Sequence, residues 1–218
     1  MSQYDPVTLV VGLFLLGIMP FIAVMVTSYV KLVVVFSLVR NAMGVQQVPP
    51  NMVLNGLSII LSLFIMAPVG HDALEIYRQK TKDAPAPTDL KGTLALADEV
   101  KAPLIGFLKK NSAPRNRLFF MKSAMKIWPR EKLPQLRSDS FYILVPAFVL
   151  TELTEAFEIG FLLYLPFVVI DLVISNILLA MGMMMVSPTT ISTPFKLLLF
   201  VMVNGWTKVI EGLILTYR

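Results

Sequence analysis

Apolar positions in this chain run in long blocks and show little of the alternation expected of half-buried strands. Residues 7–30 carry no charge, and about 20 apolar residues suffice for a helix to cross a bilayer. Pro20 lies inside this block and predicts a kink or break there, because proline removes a helical donor and clashes with the preceding turn. Lys31 follows Thr27 on the same helical face. Apolar residues then continue to Val39, so the run 7–40 exceeds one span and reads as one long bent helix or two short ones. Residues 44–51, GVQQVPPN, form a turn, since Gly followed by Pro49 and Pro50 does not continue a helix. A second uncharged block, 51–70, completes a helical hairpin. Asn55, Ser58 and Ser62 recur along it at roughly helical spacing, a mildly polar stripe suited to packing against other helices.

The pattern changes at 71–140. DAPAP at 83–87 is a loop. ALADEVKAPLIGFLKK at 95–110 predicts a short amphipathic helix broken near Pro103. RLFFMKSAMKIW at 117–128 places Leu118, Phe119, Met121, Met125, Ile127 and Trp128 on one helical face. This part reads as a small soluble insert of short helices. His71 sits at its edge, where a surface or capping role is expected.

The apolar run resumes at 141 and soon meets TELTEAFE. Thr151, Thr154, Glu155 and Glu158 fall on one helical stripe with Glu152 beside it. Three carboxylates between apolar flanks do not face lipid. They are either a solvated helix end at headgroup level or a polar seam along a subunit contact or wet path. Residues 159–186 would measure about 42 Å as a helix, more than one span. Pro166 predicts a bend, and Asp171 and Ser175 share a face. The block ends in Met181, Met183, Met184 and Met185, then in a polar loop, 187–193, with Pro188 and Pro194. A last apolar helix, 195–217, is interrupted by Lys196, Asn204, Lys208 and Glu211. The residues alone leave two readings of the methionine run: a packed helix end with a connecting turn, or a soft constriction of flexible thioethers.

Composition turns this pattern into a class. Of 218 residues, 56% are hydrophobic and 15% charged, against about a quarter charged in an average soluble domain; the chain is an integral membrane protein. Residues 68–140 hold 14 of the 19 Lys and Arg and 8 of the 14 Asp and Glu. The positive-inside rule weakens for a loop this long and does not fix the topology. No Lys or Arg precedes Lys31, so the first block is expected to be retained and not cleaved as a signal peptide. Absence of cysteine removes disulfides, thiolate metal sites and thiol nucleophiles. With a single histidine and no G-x-S-x-G, H-E-x-x-H, P-loop or C-x-x-C motif, no catalytic, cofactor or metal site is expected. The basic residues of the insert are interleaved with acids and lack the clustering of a nucleic-acid surface. The expected fold is all-α: membrane-associated hairpins of long, kinked, partly protein-buried helices. It divides into a hairpin at 1–70, the soluble insert at 71–140 and a helical core at 141–218.

Three stretches carry a resemblance: VRNAMGVQQVPPNMVLNG, PAFVLTELTEAFEIGFLLYLPFVVIDLVISNILLAMGMMMVSP and TTISTPFKLLLFVMVNGW. They closely resemble the FliP/YscR/SctR family, inner-membrane export-gate proteins of bacterial type III secretion systems. The resemblance covers the chain from about Val7 to its end, apart from 71–140. The short N-terminus resembles the virulence, or injectisome, branch. At Asn204 the family more often carries Asp, so no acidic role is expected there.

The resemblance implies a homo-oligomer of about five copies, joined by FliQ/SctS-like and FliR/SctT-like subunits around a central pore. It implies a multi-pass place in the bacterial inner membrane, with part of the assembly, and the insert, on the periplasmic side. Unfolded secreted proteins would be the transient cargo and membrane lipid a neighbour. It also implies that Met183, Met184 and Met185 form the pore gate on a loop of Ser187, Pro188, Thr189, Thr190, Ser192 and Pro194. Lys31, Glu152, Glu155, Glu158, Asp171 and Lys196 would then be intramembrane or inter-subunit polar groups, satisfied between protomers. The competing reading is a proton- or ion-coupled transporter with Glu152, Glu155, Glu158 and Asp171 as relay carboxylates. Against it stand the lack of an internal repeat and the small number of spans.

Overall fold

The structure is a computed structural model that describes residues 6–82, 96–135 and 137–218. Among the described residues all regular structure is helical and there is no strand, as expected. The helices are α1 (Pro6–Met25), α2 (Tyr29–Ala42), α3 (Asn51–Lys82), α4 (Ala102–Lys110), α5 (Pro114–Ile127), α6 (Phe141–Ala180), α7 (Pro188–Met202) and α8 (Gly205–Leu215), with a 3-10 turn at Arg130–Gln135. DAPAP at 83–87 lies outside the described residues.

Two helices, α3 and α6, are each long and apolar enough to cross a membrane, and few of their side chains are buried. Gly17–Met25 of α1 taken with α2, and α7 taken with α8, pass the same test when each pair is counted as one bent element, the second bent by 62°. The break expected at Pro20 falls instead at 26–28, six residues on, and α1 runs through Pro20. α6 likewise is one helix of 40 residues that runs through Pro166. A proline removes one backbone donor, and in an apolar helix the remaining bonds hold the turn together because the surroundings offer no competing partner. The single C-terminal helix expected over 195–217 is two helices. Asn204 adopts a left-handed φ of 53° between them, a conformation that Asn, Asp and Gly reach most readily.

Contacts divide the chain into two compact units that cut across the three parts expected. One comprises the chain up to Val30 with Pro68–Thr151. Its core is Val26, Leu108, Leu144 and Phe148, with Phe107 tilted against Phe148 at 5.7 Å. The Thr151 hydroxyl sets the start of α5: it accepts from the Ala113 amide (3.0 Å) and Asn116 Nδ2 (2.9 Å) and donates to the Ala147 carbonyl. Ala113 has no side chain able to cap that helix, so a distant hydroxyl takes the role. The amphipathic helix expected near Pro103 does break there, at Lys101, with Pro103 in the first turn of α4. The apolar face expected on α5 is not buried: Leu118, Phe119, Met125 and Ile127 are exposed, and Ala124 is the buried position. The helix expected to end at Gly70 continues to Lys82. His71 is exposed there, 3.8 Å from Glu75 one turn on.

The other unit comprises Lys31–Ala67 and Glu152–Arg218. Its core includes Leu32, Val35, Phe36, Val39, Leu54, Phe167, Phe200 and Leu213. The 44–51 turn is where it was expected, between α2 and α3. Arg40 Nη1 pins it by donating to Asn51 Oδ1 (2.6 Å) and the Pro49 carbonyl (3.2 Å). Ser58 and Ser62 face inward on α3 while Asn55 is exposed. Small hydroxyls suit that face because they bond back to their own helix, as Ser58 does to the Leu54 carbonyl at 2.7 Å. No ion pair forms between Lys208 and Glu211 among the described residues, although both lie on α8 at the spacing that permits one.

Candidate functional site

The methionine segment lies between two well-defined helix ends in the second unit. α6 stops at Ala180. Gly182 takes a left-handed φ of 73°. Its amide donates to the Leu179 carbonyl (3.0 Å), and the Met183 amide reaches back to Leu178 (2.9 Å). This pair of bonds is a Schellman ending, for which glycine is the favoured residue. α7 then starts with Ser187 in an extended conformation and Pro188 in the first turn, where a fixed φ and a missing donor cost nothing. The connection is therefore short, 181–187. Met183, Met184 and Met185 are 45%, 80% and 98% exposed. Met184 and Met185, this open to their surroundings, pack little against the described residues of the chain.

Thr189, Thr190, Ser192 and Pro194, expected in the loop, stand in the first turns of α7. Their hydroxyls explain how a Ser/Thr-rich stretch remains helical. Thr193 Oγ1 donates to the Thr189 carbonyl at 2.7 Å, and Ser187 and Thr189 hydroxyls bond each other at 2.9 Å.

Two ion-pair networks lie in the same unit, and both are intramolecular. In the first, Lys31 Nζ is 3.0 Å from Glu152 Oε1 and 2.7 Å from Glu155 Oε2. The Lys31 and Glu152 side chains are 2% and 0% exposed, whereas Glu155 is 44% exposed. The Oε1 contact is one of charge, with angles outside those of a directed hydrogen bond. Tyr217 completes the group: its hydroxyl donates to Glu152 Oε2, and Lys31 Nζ lies 4.2 Å from its ring centre.

In the second network Lys196 Nζ is 2.6 Å from Asp171 Oδ2 and donates to the Ala42 carbonyl at 3.3 Å. Ser192 Oγ donates to Asp171 Oδ1 at 2.6 Å. Ala42 is the last residue of α2, so the ammonium also meets the negative end of that helix.

Lys31, Glu152, Glu155, Asp171 and Lys196 thus have partners inside the chain. Glu158 is exposed and outside both networks. Sequence reasoning missed Tyr217 and the bond from Ser192 to Asp171. A signal for the pairs was present: few charges occur outside 68–140, and opposite charges in apolar segments pair with each other. Among the described residues no three His, Cys, Asp or Glu side chains converge to hold a metal.

The FliP family model matches residues 12–213. The chain is 55% identical over 213 residues to the Yop proteins translocation protein R of Yersinia pestis, covering 98% of this chain and 97% of the relative. It is 49% identical to the hypersensitivity response secretion protein HrcR of Ralstonia nicotianae over the whole of both chains. It is 48% identical to the virulence protein YscR of Salmonella typhimurium over 98% of this chain and 97% of that one. A match across nearly the whole length, with the methionine segment inside it, means that this chain belongs to the FliP family.

Proposed function

We propose that this protein is a pore-forming and gating subunit of a bacterial type III secretion export apparatus, passing unfolded polypeptides across the inner membrane. The observation that carries the reading is the row of exposed methionines, Met183 to Met185, held out on a short connection between two fixed helix ends. A pore for unfolded chains must admit any side chain yet stay closed to ions when idle. Unbranched, polarizable thioethers seal against each other and yield around varied cargo, and an apolar constriction blocks ions by dewetting.

Assembly follows from the same surface. Large apolar side chains stand exposed on α3 and α6, among them Leu63, Phe64, Phe161 and Leu162, and need lipid or other protein against them. About five copies around the pore, with FliQ/SctS-like and FliR/SctT-like partners, would supply those neighbours. The 71–140 part would face the periplasm. The relatives named for translocation and secretion support this reading. A proton relay is disfavoured by the two ion-pair networks, which engage Glu152, Glu155 and Asp171 with lysines.

Trimming Met183, Met184 and Met185 together to Ala tests the gate. Idle leakage of small ions through the assembled apparatus is expected to rise roughly tenfold or more, because dewetting depends steeply on the width of the constriction. Unchanged leakage in a complex that still assembles would remove the sealing role.

A further inference from the structure

Between α6, α7 and α8 the second unit holds a groove of about 400 Å³. Phe167, Phe200 and Val209, all buried, form its floor, and Leu199 and Val203, 38% and 42% exposed, stand at its rim. Gly205 leaves one wall bare, since a Cβ there would meet the Phe200 ring at 2.3 Å. Apart from Lys208 every lining residue is apolar. A methylene fills about the volume of a water molecule, roughly 30 Å³. The groove therefore takes on the order of a dozen methylenes, most of one acyl chain.

Lys208 lines this groove and is exposed, so it stands at the open side. Asn204, also exposed, lies one turn before it, and the Lys208 amide donates to the Asn204 carbonyl at 3.1 Å. Two polar side chains thus stand at the α7–α8 bend, at one edge of an apolar slot. A cation in an apolar helix is costly without a counter-charge. Lys31 and Lys196 meet carboxylates, and Arg40 meets Asn51 and the Pro49 carbonyl. Lys208 has no ion-pair or hydrogen-bond partner among the described residues.

We propose that this groove is a binding site for one anionic phospholipid, with an acyl chain in the slot and the headgroup phosphate on Lys208. A single molecule of that kind supplies both the hydrocarbon and the missing negative charge. A zwitterionic headgroup carries its own cation and gains less from the lysine. A packed helix fits less well, because helices in membranes approach closely over small residues, and the groove is walled by large side chains except at Gly205.

The test uses the protein extracted in its assembled form, stripped of lipid and titrated with dioleoyl phosphatidylglycerol or dioleoyl phosphatidylcholine. Native mass spectrometry counts the lipid retained. One phosphatidylglycerol per copy is expected, held about fivefold more tightly than phosphatidylcholine, the factor one lysine supplies near an anionic headgroup. Lys208→Gln is expected to remove that preference and keep weak binding of both lipids. Leu199→Trp adds bulk at the rim and is expected to weaken both. Glycerol phosphate, a headgroup without chains, is expected not to compete. In vesicles, a phosphatidylglycerol with a photoreactive acyl chain is expected to label Leu163, Leu199 or Val203 in the unmodified protein. That measurement decides the matter even where a variant fails to assemble.

Equal retention of the two lipids, or an unchanged preference in Lys208→Gln, overturns the proposal. Label spread evenly over the exposed faces of α3 and α6 means boundary lipid only and also overturns it. So does a groove covered by a second copy or a partner subunit, read as absence of label there. Competition by glycerol phosphate as effective as that by the lipid would leave an anion site with no role for the slot, against the proposal. None of these outcomes depends on the methionines, so the gating reading stands or falls separately.

Discussion

Replacing Lys31 with Met is expected to destabilise the chain by about 3–5 kcal/mol, the range for removing one partner of a buried ion pair. The cost arises at Glu152, whose side chain is fully buried and would keep only the Tyr217 hydroxyl as partner. Glu155 contributes less, because its side chain is 44% exposed and water replaces the lost ammonium. The double variant Lys31→Met with Glu152→Gln removes both charges and is expected to recover most of the loss, since a neutral pair in an apolar setting has no stranded ion. Thermal unfolding of the detergent-solubilised chain reads both. A Lys31→Met protein as stable as its parent would mean that water reaches Glu152, against the burial found here.

The second large effect is expected at Gly205. A Cβ there would stand 2.3 Å from Cδ2 and Cε2 of Phe200 and 2.7 Å from Cγ. The ring has little freedom to move: Trp206 meets it edge-on at 5.4 Å, and Phe167 lies 6.3 Å away on α6. Gly205→Ala therefore forces the ring or the α7–α8 bend to shift, at about 1–3 kcal/mol, typical of overpacking. Gly212, two turns further along α8, is the control. Nothing lies within 4 Å of its added Cβ, and Gly→Ala inside a helix stabilises by about 0.5–1 kcal/mol. The two substitutions should thus shift the melting temperature in opposite directions. Equal shifts would contradict the close packing at Gly205.

The helical plan was legible because apolar blocks of span length have few alternatives. The turn before Asn51 was legible from Gly and Pro, whose backbone preferences are strong; the ends around the methionines were not, since the helix expected over 159–186 stops at Ala180 and the loop expected at 187–193 begins α7 at Pro188. The break at 26–28 was not. Thr27 and Ser28 carry no such signal, whereas Pro20 nearby carries a strong one that an apolar helix absorbs. The end of the hairpin was misread for a related reason. Polar residues after Gly70 look like the start of a new part, yet helix α3 needs only continued backbone bonding and extends to Lys82.

For the site, the identities of the charged residues were legible and their partners were not. Lys31 and Glu155 are 124 positions apart, and no local spacing links them. The packing of α2 against α6 and the chain end brings Lys31, Glu152, Glu155 and Tyr217 together within one chain. The left-handed Asn204 was visible as a departure from the family pattern. Its backbone role emerges from the bend it occupies, where Asn and Asp are both tolerated.

The claim that polypeptide passes the methionine segment is tested most directly by a photoreactive residue at Met184 in an apparatus secreting a substrate that stalls in transit. Met184 is 80% exposed at the tip. A covalent adduct between the photoreactive residue at position 184 and the stalled substrate is expected, absent when no substrate is loaded. An apparatus that assembles, loads and secretes, yet gives no adduct at Met184 or at Met185, would contradict it.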